Sequence, residues 1–121
     1  MTAKHLQQPK RSKSCGQHCV AMLAGVDVAT VIRKCGSGST TAAQILVIAN
    51  QFGLKQKTKL WQLPREGQAF PVFGIIKLRK PRRKSFHWAC VVDGVIHDPA
   101  YSVAGVQATG HHVACWIEFN K

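Results

Sequence analysis

After Gly53 the apolar pattern of this chain changes period, and that change limits the folds open to it. Upstream, Ala42, Ile45, Leu46, Ile48, Ala49 and Phe52 recur at helical spacing. Downstream, β-branched and aromatic residues fall between turn residues over 56–63, 70–78, 86–92, 95–98 and 112–119, five expected strands. Asp93-Gly94 separates two of them and is a two-residue hairpin signal. Helices followed by an antiparallel sheet define an α+β domain, N-terminal helices packed on a C-terminal sheet.

The helical half has its own punctuation. Ser14 with Gln17 makes a capping-box pattern, which puts Cys15 in the first turn of a helix running to Leu23 or Ala24 and stopped by Gly25. Asp27 is placed to cap a second helix over Val28–Lys34, closed by Gly36. After the loop Gly36-Ser37-Gly38-Ser39-Thr40, Thr41 and Gln44 repeat the capping pattern, and Gly53 is a fitting C-terminal stop. That loop lacks the Lys-Ser/Thr ending of a phosphate-binding loop. Residues 1–13 read as a flexible basic arm and 14–121 as a single domain, since 121 residues support one core.

Charge and cysteines narrow the classes. Seventeen Lys and Arg stand against five Asp and Glu, a formal net charge of +12, which favours acidic protein partners or nucleic acid. The basic run Lys77-Leu78-Arg79-Lys80-Pro81-Arg82-Arg83-Lys84 lacks the regular aromatic interleaving of a nucleic-acid platform, and Trp61, Trp88 and Trp116 are read as core or groove walls. No apolar run reaches membrane-spanning length. The start of the chain has no apolar signal core, so a cytoplasmic protein is expected. An odd five cysteines then suggest reduced thiols rather than a disulfide framework. A metal set of Cys15, Cys19, His111, His112 and Cys115 lacks paired zinc spacing, and positions 112 and 115 fall on opposite faces of a regular strand. No metal or cofactor is expected.

Three residues carry the candidate chemistry. A helix start supplies partial positive charge and free N–H groups that favour a thiolate, and Cys15 is placed there. Gly16 lets a substrate approach the sulfur, and the Cys15 N–H is a donor for an oxyanion. The carboxylates to choose from are Asp27, Glu66, Asp93, Asp98 and Glu118. With Asp93-Gly94 as the loop, Ala89 opposes Asp98 and His87 opposes Ala100, so Asp98 shares a face with His87 as its diagonal neighbour. His97 opposes Cys90 on the other face. Nucleophile, base and orienting acid are thus Cys15, His87 and Asp98.

In order, Gln7 or Gln8, Cys15-Gly16, Ala21-Met22-Leu23-Ala24-Gly25, His87-Trp88-Ala89 and His97-Asp98-Pro99 resemble the papain clan. Within it they are most similar to the bacteriocin-processing peptidases that remove double-glycine leaders, as a stand-alone domain. The resemblance covers roughly residues 7–105. It implies a papain-like fold and a cysteine peptidase acting on an amide or related acyl bond of a peptide or protein, with Gln8, or else Gln7, assisting the Cys15 N–H at the oxyanion. Gln8 stands slightly further from Cys15 than the family's glutamine does from its cysteine. Gly16 and Trp88 border the expected cleft, and Arg82 and Arg83 form a rim that selects acidic substrates. Two other readings are a non-enzymatic basic adaptor on a peptidase scaffold and a nucleic-acid-binding protein driven by charge.

Overall fold

A computed structural model of the chain describes residues 5–8, 13–57, 61–63, 71–79, 86–99 and 112–120. Among them run α1 (Cys15–Ala24), α2 (Val28–Cys35), α3 (Ala42–Gln51), β1 (Gly74–Arg79), β2 (Phe86–Val92), β3 (Val95–His97) and β4 (His112–Glu118). The strands form an antiparallel sheet in the order β3-β2-β1-β4. The architecture is therefore α+β, helices first.

Each helix is bounded by local chemistry, but not always the chemistry expected. α3 has its full capping box: the Gln44 N–H donates to Thr41 Oγ1 at 3.2 Å and the Thr41 N–H to Gln44 Oε1 at 2.8 Å. α1 starts after Ser14 as expected, yet without a capping box. His18 Nδ1 instead donates to the Ser14 carbonyl at 2.8 Å and lies 3.3 Å from its hydroxyl. The Gln17 amide reaches the loop after α2. α1 stops where Gly25 turns left-handed (φ 70°) and its N–H returns to the Ala21 carbonyl, the conformation glycine adopts without steric cost. Asp27 stands at the α2 start with no side-chain cap.

The hairpin is the firmest local feature. Asp93 (φ 50°) and Gly94 (φ 79°) both lie in the left-handed region, as a type I′ turn requires. Cys90 pairs with His97, Val91 with Ile96 and Val92 with Val95, the register expected from a two-residue loop. The expected strand over 56–63 is not a ladder among the described residues. Gln56 and Gln62 make single bridges to Phe119 and Trp116.

A bulge interrupts the β1–β4 ladder: Lys77 pairs with Cys115 but Leu78 with Val113. It overturns the expectation that positions 112 and 115 alternate across the sheet. They now pair with Arg79 and Lys77, two apart on one strand.

α1 packs almost all round, with every residue from Gly16 to Leu23 buried. Cys19, Val20, Met22 and Leu23 join Ile45 and Ile48 of α3 and Ile75, Trp88, Cys90, Val92, Ile117 and Phe119 of the sheet in one core. Ile76, Leu78, Ala89, Val91 and Trp116 form a second buried cluster. A Cβ at Gly74 would run into the Ile117 carbonyl, so β1 and β4 can lie this close only with glycine there. Among the described residues, no helix is long and apolar enough to cross a membrane.

Residues 5–8 correct the expectation of a free arm. His5 stacks on His97 with ring centroids 5.3 Å apart. The Leu6 N–H meets Met22 Sδ at 3.3 Å, and the Gln8 N–H donates to the Pro99 carbonyl at 2.7 Å. Leu6 packs against the main core, so burial of one apolar side chain and two backbone contacts fasten the segment across α1 and the end of β3.

Candidate active site

Cys15 is the first residue of α1, half-buried against the main core, with its backbone fixed by the helix. His87 is the second residue of β2, with a side chain 18% exposed. Asp98 follows the last residue of β3 and is fully buried. The hairpin therefore delivers the acid to the base: His87 Nε2 is bonded to Asp98 Oδ1. That leaves Nδ1 as the ring nitrogen for the Cys15 thiol, the other side-chain hydrogen-bond partner of His87.

The electrostatics follow from these contacts. Burial pushes the His87 ring down, but the hydrogen bond to Asp98, the one to Cys15 and the charges behind both outweigh it and raise the ring to about 9. His87 is thus cationic at neutral pH, the partner a neighbouring thiolate needs. Cys19, one turn along α1, is pushed well above the usual thiol range, first by burial and then by its hydrogen bond to Cys90. Burial also raises Cys115, against the pull of Lys77. His97 is lowered by burial and by His5, so it stays neutral and engaged with His5 Nδ1 at 3.1 Å.

The other described carboxylates are elsewhere. Asp27 precedes α2, Asp93 lies in the hairpin turn, and Glu118 faces Lys57 at 3.8 Å. Glu66 lies outside the described residues, as do Arg82, Arg83 and His111. Among the described residues no group of three or more His, Cys, Asp or Glu side chains is arranged to hold a metal.

Two of the residues expected to border the cleft are packed inside. A Cβ on Gly16 would meet Thr40 Oγ1 at 2.6 Å, Ile45 Cδ1 at 3.1 Å and Trp88 Cδ1 at 3.4 Å. Close packing of α1 against α3 and β2, rather than access to substrate, demands the glycine. Trp88 is buried in the main core, donates Nε1–H to the Thr40 carbonyl at 3.2 Å and leans on Trp61. Gln8 is tied by its backbone to Pro99, the residue after Asp98, and its Oε1 is buried.

Phe86, which precedes His87 on β2 and pairs with Arg79, lies on the opposite face of the strand and is 44% exposed, with Lys77 Nζ 3.9 Å and Arg79 Cζ 5.9 Å from its ring centroid. The structural role of Gln17 is not legible in the sequence, where the capping pattern claims it. Its Nε2 donates to the Gly36 and Gly38 carbonyls at 3.0 and 2.9 Å, pinning the loop that carries Thr40. No local signal marks partners some twenty residues away. No known protein family, curated protein or solved structure matches the chain.

Proposed function

We propose that this protein is a papain-like cysteine peptidase, a thiol hydrolase that cleaves a peptide or related acyl bond in a peptide or protein substrate. The observation that carries the reading is the chain of contacts from Cys15 at a helix start through the His87 ring to the buried Asp98. Cys15 Sγ as thiolate attacks the acyl carbon, forming an S–C bond and an oxyanion. The Cys15 N–H stabilises that charge, and Gln8, held beside Pro99, is the side chain assigned to help it. The C–N bond then breaks as the His87 imidazolium gives its proton to the departing amine. Water attacks the thioester, His87 takes its proton, and the released thiolate and imidazolium restore the site. Asp98 holds the ring in the tautomer and orientation that both steps use.

The net charge of +12 favours an acidic substrate. Five free thiols suit a reducing compartment, and the cytoplasm is where we place the activity.

The test is alkylation by a thiol-directed electrophile at pH 7, read site by site by mass spectrometry. Cys15 is expected to react well ahead of Cys19, Cys35, Cys90 and Cys115, and Cys15→Ala to abolish cleavage of a peptide mixture. Equal reactivity among the five thiols, with cleavage unaffected by Cys15→Ala, refutes the proposal.

A further inference from the structure

Along the chain, the basic run that begins at Lys77 has no aromatic residues interleaved with its cations. The sheet supplies them from the next strand. Antiparallel pairing sets Arg79 opposite Phe86 and Lys77 opposite Trp88, so one face joins two cations of β1 to two rings of β2. Lys77 Nζ lies 3.9 Å from the Phe86 ring centroid and 5.4 Å from that of Trp88, and Arg79 Cζ lies 5.9 Å from that of Phe86. Trp61 extends the row, its ring centroid 5.5 Å from that of Trp88.

The row runs from core to surface. Trp88 is buried in the main core and Trp61 packs against it, whereas Phe86, two positions away on the same face, stands outside that core and is well exposed. Lys77 is half-buried and Arg79 exposed. Among the described residues no carboxylate neutralises either cation. Asp98 is bonded to His87, Glu118 faces Lys57, and Asp27 and Asp93 stand at the α2 start and in the hairpin turn. Between Glu66 and Asp93 the sequence has Lys and Arg but no acid, within a chain of net charge +12. An exposed ring set among such cations fits a ligand that brings planar rings and regularly spaced anions together, which is the chemistry of a single nucleic-acid strand. An acidic peptide brings the anions without the bases.

We propose that the face of β1 and β2 carrying Lys77, Arg79 and Phe86 binds single-stranded nucleic acid with little regard to sequence. A base stacks on Phe86, and the phosphates beside it meet Lys77 and Arg79. His87 alternates with Phe86 along β2 and belongs to the other face, so this binding stands apart from the peptidase reading and involves none of Cys15, His87 and Asp98.

The experiment adds the native protein to fluorescein-labelled oligo(dT) or oligo(U) of about twelve nucleotides, within the footprint of such a platform, and follows fluorescence anisotropy from about 50 to 200 mM salt. Binding of either oligonucleotide supports the proposal, and the tighter one names DNA or RNA as the partner. Phe86→Leu, which keeps an apolar surface but removes the ring, should weaken binding at least about fivefold, and Phe86→Tyr should leave it near native. Lys77→Gln and Arg79→Gln should each lower the slope of log affinity against log salt by about 0.7. Near-UV circular dichroism matching the native protein shows that each variant is folded. Three results overturn the proposal: neither oligonucleotide binds, Phe86→Leu binds as the native protein does, or an abasic strand of equal length or a poly-glutamate peptide binds as tightly as the oligonucleotides. Alkylation of Cys15 reads the peptidase proposal separately, so either claim can fail alone.

Discussion

Replacing Asp98 with asparagine keeps the shape of the site and removes the charge that holds His87 cationic. In the native protein the ring is raised from 6.5 to about 9, with burial opposing and the Asp98 and Cys15 contacts prevailing. Each pKa unit is worth about 1.4 kcal/mol, so the shift represents about 3 kcal/mol of preference for the folded state. The ring is only 18% exposed, so solvent screening takes little of this. Because the folded value is the higher one, the contribution is complete below about 6.5 and is lost as pH rises through about 9.

In Asp98→Asn the amide offers no compensating charge, and burial then dominates. The His87 titration, followed by the NMR signal of its ring Cε1 proton, is expected to fall by at least a full unit. The stability advantage of the native protein over the variant, from urea unfolding at pH 6 and pH 10, should shrink by at least about 1.4 kcal/mol between those conditions, the equivalent of one pKa unit. Alkylation of Cys15 at neutral pH should slow in parallel. A native His87 that titrates near its ordinary value, or a midpoint unmoved by the substitution, refutes the electrostatic account of the triad.

Three further outcomes follow from the geometry. Gly16→Ala puts a methyl group against Thr40 Oγ1 and Ile45 Cδ1; the crowding should cost about 1–3 kcal/mol in urea unfolding. Thr41→Ala removes an intact capping box and should cost about 1 kcal/mol, whereas Ser14→Ala removes no helix cap and should cost less in the same assay. Gln8→Ala should lower kcat about 10²- to 10³-fold with little change in KM if its side chain serves the oxyanion; an unchanged kcat removes it from that role.

The parts of this protein readable in the sequence are those whose causes lie within a few residues. Gly25 ends α1, Thr41 and Gln44 start α3, and Asp93-Gly94 closes a hairpin, because capping and turn chemistry act over one turn of chain. The pairing of His87 with Asp98 was legible for the same reason. A two-residue turn sets the register of both flanking strands, and register decides which side chains meet. The period change after Gly53 likewise announced helices before sheet.

Where several partners competed, local pattern was not enough. The Ser14–Gln17 spacing reads as a cap, but His18 took the Ser14 acceptors and Gln17 crossed to the Gly36–Gly38 loop. Gly16 and Trp88 read as cleft residues, and packing of α1 on Ile45 and Thr40 drew them into the core. The bulge opposite Lys77 and Leu78 reset the faces of β4, and residues 5–8 lie against Met22, His97 and Pro99 rather than free. Element order, the hairpin and the His87–Asp98 pairing follow from periodicity and from neighbours in the chain. Tertiary structure alone decided which buried polar group bonds to which, because residues far apart in sequence compete for the same donors and the same space.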